Sequence, residues 1–426
     1  MTSLAPDVLV CGGGMAGVAA AVAAAREGAE VLLVERWGFL GGSATAAAVG
    51  QFVGWETAAG RQVVQGIAEE IVRRLGERGG AQGHRHFMMS TGHRMDHVPY
   101  DPEILKLVLD EIVCEAGAAP LFQAMVLAVT RKGRTITAVE VLTKAGPVRV
   151  QPRAVIDASG DLDVLHRAGA AFLPLGHDEA LQPGTMMFRF GPIDVDVFEA
   201  IPAEERGALA RRGYESGALA RAALHASIIP GTRDGWFNVS RVAVDATDPF
   251  ALSRGEIEGR RQAVAAAGYL RDAVPGCGGG RLVAIAAQLG IRESRRIAGR
   301  YVLTGEDVRA GRRFADVIAV GAYPLDIHPP AGGGLSFSTL GADHSYDIPF
   351  RSLVPEGMDN ALVAGRGISA THEAHASVRV MPTCMAIGQA AGSAAAAMVR
   401  ANASAGELDV AALRTRLAGA GAYLAG

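Results

Sequence analysis

Short unbroken apolar runs, each closed by glycine or an acid, dominate the hydrophobic pattern near the N-terminus. Val8-Leu9-Val10-Cys11 runs into Gly12-Gly13-Gly14-Met15-Ala16-Gly17, an alanine-rich stretch continues to Gly28, and Val31-Leu32-Leu33-Val34 ends at Glu35. Runs of this length bounded by turn residues predict strands buried on both faces, and the alanine stretch between them predicts a helix. Ala154-Val155-Ile156 and Ala361-Leu362-Val363-Ala364 repeat the strand pattern far downstream. Gln123–Leu127 reads as the end of a short strand, and Arg131-Lys132-Gly133-Arg134 as the turn of a hairpin. Phe188–Phe190 and Trp236–Val244 read as strands, while 204–225, 255–274 and 384–399 read as helices, the last opened by Pro382. The order of elements predicts an α/β fold.

Composition removes several classes of function. Hydrophobic residues make up 49% and the net charge is −3, which fits neither a disordered chain nor a nucleic-acid-binding surface. Cys11, Cys114, Cys277 and Cys384 are widely spaced, with no zinc-ribbon or local redox pair, as expected in a reducing cytoplasm. Val8–Ala25 and Val380–Val399 are long enough to span a bilayer. The first is glycine and alanine, and the second carries Pro382, Thr383, Gln389 and Ser393, so both are expected to be buried helices. With Asp7 ahead of the apolar run and no basic region, no signal peptide is expected. Cytoplasmic location follows as the expectation, with no metal site and oligomeric state open.

The glycine turn suits a dinucleotide. Gly12 permits the sharp turn, Gly14 lets backbone N–H groups approach a pyrophosphate, and Gly17 allows close helix–sheet packing. The helix N-terminus favours phosphate, and Glu35 is placed to accept from ribose hydroxyls. This predicts a Rossmann-like domain.

The segment Glu35-Arg36 followed by Gly41-Gly42-Ser43-Ala44-Thr45 resembles the FAD-dependent oxidoreductases built like glutathione reductase, and distantly the fumarate reductase and aspartate oxidase flavoproteins. Ala154-Val155-Ile156-Asp157-Ala158-Ser159-Gly160-Asp161 is similar to their returning strand, and Ala364-Gly365-Arg366 through Gly388-Gln389-Ala390-Ala391-Gly392 to their C-terminal segment. The resemblance implies noncovalent FAD, because Ser43, Ala44 and Thr45 stand where a covalent histidine would be. It implies FAD contacts from Gly12, Gly14, Met15, Ala16, Gly17, Glu35, Arg36, Gly41, Gly42, Ser43, Val126, Ala158, Gly160, Asp161, Gly365, Arg366, Pro382 and Thr383. The helix after Pro382 would point its N-terminus at the flavin, with Arg379 adding positive charge. An FAD domain from 1–170 and 351–400 would carry an inserted mixed α+β substrate domain at 171–350 and a tail at 401–426.

Substrate residues are sought between these segments. Leu181-Gln182-Pro183-Gly184-Thr185 resembles the fumarate reductase Gln-x-His-Pro-Thr strand without its histidine. Eight arginines against three acids lie between Arg281 and Arg313. If 291–302 is helical, Arg292, Arg296 and Arg300 share a face, either solvated or gripping a polar or anionic small molecule, and related segments favour a site role for Arg292, Glu293 or Arg295. His328, on an extended segment, and His372, in a loop with His375 before the last long helix, are the candidate proton acceptors. His84, His86, His93 and His97 are expected in a loop over the cleft. Three readings follow: hydride transfer between a small organic molecule and flavin N5, hydroxylation with NAD(P)H and oxygen, or non-catalytic nucleotide binding.

Overall fold

The computed structural model describes residues 3–88, 94–174, 180–329 and 336–424. At its centre is a five-stranded parallel sheet in the order Ala361–Val363, Ala154–Asp157, Val8–Cys11, Val31–Val34, Ala119–Leu121. Val8 pairs with Val31 on one side and Ala154 on the other, and Val155 pairs with Ala361. Four of these strands are almost wholly buried because helices cover the sheet, while the edge strand Ala119–Leu121 is exposed to half-buried.

The helix Met15–Arg26 packs against the sheet and against the long C-terminal helix Met381–Ala401. The two approach closely because their shared face is glycine and alanine. A Cβ on Gly388 would lie 2.1 Å from Ala16 O, and one on Gly392 2.1 Å from Ala20 O. Neither helix is a membrane span: no helix among the described residues is long and apolar enough to cross a bilayer.

Two further sheets have four strands each, the second antiparallel throughout and the first antiparallel except where Ser3–Leu4 runs parallel to Gly146–Val150. The first joins Ser3–Leu4, Gly146–Val150, Thr135–Thr143 and Met125–Lys132. Gln123 and Ala124 therefore link two strands, Met125–Leu127 opens the second rather than ending a short one, and Gly133, at φ +60°, makes the predicted hairpin turn. The second sheet joins Ala226–Ile228, Gly235–Phe237, Phe188–Gly191 and Arg281–Ile285 under the helix Pro249–Ala273. Its own hydrophobic cluster runs from Met186 to Leu289, apart from the main core.

Several predicted boundaries move. The helix expected at 204–225 is Ala203–Glu215, and the strand expected over Trp236–Val244 is Gly235–Phe237. His372 and His375 lie on the helix Val378 closes, His372–Val378, not in a loop, because the Thr371 side chain caps it at Ala374 N. His86 and His97 lie on Arg85–Met88 and Arg94–Pro99, paired strands rather than a loop, while His93 lies outside the described residues. The largest departure is 291–302, which is extended. Its backbone bonds outward to other segments: Leu173 N to Arg296 O, Ile297 N to Gly367 O, and Arg300 N to Val354 O. Arg292, Arg296 and Arg300 consequently share no helix face.

Candidate active site

The carboxyl ends of Val8–Cys11, Val31–Val34, Ala154–Asp157 and Ala361–Val363 lie along one edge of the sheet, where open α/β sheets receive ligands in a crevice. Gly12, at φ +103°, has Ala158 O 2.4 Å from where a Cβ would stand, and a Cβ on Gly17 would sit 1.8 Å from Gly12 O. Gly14 differs, since the nearest atom its Cβ would meet is Gly42 Cα at 4.0 Å. Met15 and Ala16 begin the helix behind it. Glu35 accepts from Gly13 N at 2.6 Å and Trp37 N at 2.9 Å. Burial raises its carboxyl pKa against those two bonds. Gly41 N donates to Gly13 O, Ser43 lies in the short helix Gly42–Ala44, and exposed Arg36 donates to Gln288 Oε1 at 2.5 Å. Ala124 N donates to Glu35 O, bringing the start of the Val126 strand beside the acid.

On the other side of the crevice, buried Asp157 accepts from Ser159, Val164 and Leu165, and burial pushes its pKa up to about 6. Gly160 stands at φ +87°. Asp161 Oδ1 accepts from Ser294 Oγ at 2.7 Å and Arg366 Nη2 at 3.2 Å. Arg295 donates to Asp161 O at 2.9 Å, on the same wall. Gly365, at φ +88°, approaches Ala16. Pro382 and Thr383 form the first turn of Met381–Ala401.

A long dinucleotide fits this crevice on observations independent of any motif. Gly14 faces open space where a side chain would intrude, and two buried donors, Arg366 Nη1 and Thr383 Oγ1, have no partner among the described residues. Buried donors are nearly always satisfied, so their lack of partners marks where ligand acceptors belong.

Two histidine–carboxylate pairs lie beyond the N-terminus of the long helix. His328 Nε2 is 3.2 Å from Asp326 Oδ2, which also accepts from Tyr323 OH at 3.2 Å. His372 Nδ1 donates to Glu293, 2.9 Å from Oε2. Gln182 joins the pairs: its N–H donates to Glu293 Oε2 at 3.3 Å, and its Oε1 accepts from His328 N at 3.2 Å and Arg379 Nη2 at 3.4 Å. Arg379 also donates to Asp326 O at 3.1 Å. Arg292 donates to Pro183 O and Thr185 Oγ1, both at 2.7 Å.

Electrostatics separates the two pairs. Burial raises the Asp326 carboxyl, but His328, Arg379 and Arg292 hold it well below the usual range. His328 is pushed down to about 3 by burial and then by Arg292, against the pull of Asp326, so its ring is neutral at pH 7. Burial lowers the Arg292 pKa to about 9, helped by Arg379 and Arg221. Glu293 is raised by burial yet brought to about 2 by His372, His375 and Arg296. Burial also takes His375 to about 3.

His328, His372 and Arg379 are linked through Gln182, and Arg292 acts on Arg379 and Asp326; sequence reasoning overlooks Asp326, Arg221 and the bridging role of Gln182. Asp326 had a legible signal, since i and i+2 share a strand face. A further relay was not foreseen: Gln51 accepts from His97 Nδ1 at 2.8 Å and donates to His225 Nε2 at 2.9 Å, and burial lowers both histidines to about 4.

Known structures share the architecture. The p-nitrophenol 4-monooxygenase PnpA from Pseudomonas putida aligns at a TM-score of 0.53 and 12% identity, covering 98% of this chain and 86% of that one. The flavin-dependent brominase Bmp2 aligns at 0.50 and 13% identity, covering 97% and 84%. These identities speak for a shared FAD-binding Rossmann-type fold, and neither neighbour is a glutathione reductase or fumarate reductase. No functionally curated protein matches the sequence. The profile of the FAD dependent oxidoreductase family matches residues 7–417. Over nearly its whole length, therefore, the chain belongs to the FAD-dependent oxidoreductase family, and FAD is its cofactor.

Proposed function

We propose that this protein oxidises a small polar organic molecule by hydride transfer, with His328 taking the accompanying proton. The observation that carries the reading is the neutral His328–Asp326 pair set among Arg292 and Arg379 beside the long helix. In this reading residues 1–170 and 351–400 hold FAD, 171–350 face the substrate, and 401–426 form a tail. Gly12, Gly14, Gly17, Glu35, Gly42, Gly160, Asp161, Arg366 and Thr383 hold the cofactor. When bound, FAD supplies a two-electron acceptor that takes a substrate hydrogen with its electron pair.

The chain's own contribution is orientation and proton handling. Arg292 is anchored on Pro183 O and Thr185 Oγ1, and Arg379 on Asp326 O, so their charges are fixed before substrate arrives. Asp326 holds one ring nitrogen of His328 and leaves the other to accept a proton from a substrate hydroxyl or amine. His372, fixed on Glu293, is the second candidate acceptor.

A second reading, a hydroxylase using NAD(P)H and oxygen, is favoured by the fold shared with a monooxygenase. Anaerobic flavin bleaching separates the two. Under the leading reading an alcohol, amine or hydroxy acid bleaches the flavin without NAD(P)H. Bleaching by NAD(P)H alone, with none of the organic compounds active, would overturn it in favour of hydroxylation.

A further inference from the structure

Among the described residues, several arginines converge on Asp326. Arg292, Arg379 and Arg221 all act on this one carboxylate. Asp326 Oδ2 is already shared by Tyr323 and His328. Among the described residues, three donors in the cluster are buried without partners, Arg221 Nε, Arg379 Nε and Gln182 Nε2, against one unpartnered acceptor, Asp326 Oδ1. Gln182 is only 1% exposed, so water does not freely serve its amide. Burying cations together is costly unless an anion joins them. An apolar wall adjoins the cluster, where Tyr323 packs with Met95 and Val380.

We propose that Arg221, Arg292, Arg379 and the Gln182 amide form the binding site for the carboxylate of an organic acid, and that such acids are the substrate class. The proposal rests on the oxidoreductase reading above and adds the group by which substrate is recognised. A planar carboxylate suits guanidinium donors, which bond it in pairs and with more strength than neutral partners provide. The Tyr323, Met95 and Val380 wall receives the acid's apolar portion. An anion on Arg292 also offsets the cation that, after burial, does most to suppress proton uptake by His328. Arg221 is a specificity residue here, reaching the cluster from the stretch between Ala203–Glu215 and Ala226–Ile228.

FAD-loaded protein titrated anaerobically with lactate, malate, alanine and phenylacetate, and with their methyl esters, tests this through the flavin difference spectrum and calorimetry. At least one acid is expected to bind at least tenfold more tightly than its ester, and Arg221→Gln to weaken that acid at least tenfold with FAD retained. Arg292→Gln should do the same, and if it does not fold, Arg221→Gln still decides. Esters binding as well as acids, or Arg221→Gln binding acids like the wild type, overturns the proposal. If acids bind but none bleaches the flavin, the oxidation reading fails while the carboxylate site stands. If alcohols or amines lacking a carboxylate bleach it and acids do not, the substrate class fails and the oxidoreductase reading survives.

Discussion

Asp96 is 3% exposed on the strand Arg94–Pro99, where burial and neighbouring Glu56 raise its pKa to about 6. An unfolded aspartate titrates near 3.9, so between about pH 4 and 6 the folded protein holds a proton that the unfolded chain has lost. The contribution of Asp96 to stability therefore falls as pH rises through that window and stays low above it. Asp96→Asn keeps an oxygen for Trp55 N and removes the charge. It is expected to be more stable than wild type by about 1–3 kcal/mol at pH 7.5 and to lose that advantage near pH 4 in denaturant unfolding. The two site histidines make an opposed pair. His328 faces the arginine cluster, whereas His372 is committed to Glu293, a carboxylate it shares with Arg296 and His375. Stopped-flow flavin reduction between pH 6 and 9 should slow by roughly 10²-fold or more in His328→Ala and by less than about tenfold in His372→Ala. The reverse order would move the proton acceptor to His372.

Glycines distinguish packing from ligand contact at the scale of elements. Gly388→Ala drives a Cβ into Ala16 O between two helices that hold the sheet, so it should cost about 3 kcal/mol or more in stability. Gly14→Ala meets nothing closer than 4.0 Å and should cost the apoprotein under about 1 kcal/mol, while weakening FAD measurably in a titration. An apoprotein destabilised as much by Gly14→Ala as by Gly388→Ala would remove the evidence that Gly14 faces cofactor. These same elements explain what could be read beforehand. The strands Val8–Cys11 and Val31–Val34 were legible because burial on both faces leaves a continuous apolar run and the turn between them demands glycine. The segment 291–302 was not, because nothing local declares that its N–H and C=O groups bond to residues 171–173, 354 and 367. Gln182 was unreadable for a similar reason. Its role depends on two carboxylate pairs that lie 111 and 146 positions away.

In the proposed reading FAD is held noncovalently by segments from both ends of the chain. Purified protein should be yellow, and acid precipitation should release the flavin into the supernatant. Removing FAD should lower the melting temperature, because a ligand present at 100 times its Kd adds about 2.7 kcal/mol to stability. Flavin remaining with the acid pellet would demonstrate a covalent link.

The edge strand Ala361–Val363 pairs with Ala154–Asp157 across about two hundred intervening residues, and the helix Met381–Ala401 follows it. Synthesis therefore delivers the first half of the nucleotide fold long before its other half exists. Until the C-terminal segment leaves the ribosome, the small-residue face of Met15–Arg26 has no partner and the sheet has an open edge. Cofactor capture is consequently a late event, after translation is nearly finished, and a chain terminated before Ala361 should stay flavin-free and prone to aggregate rather than accumulate as a half-active enzyme.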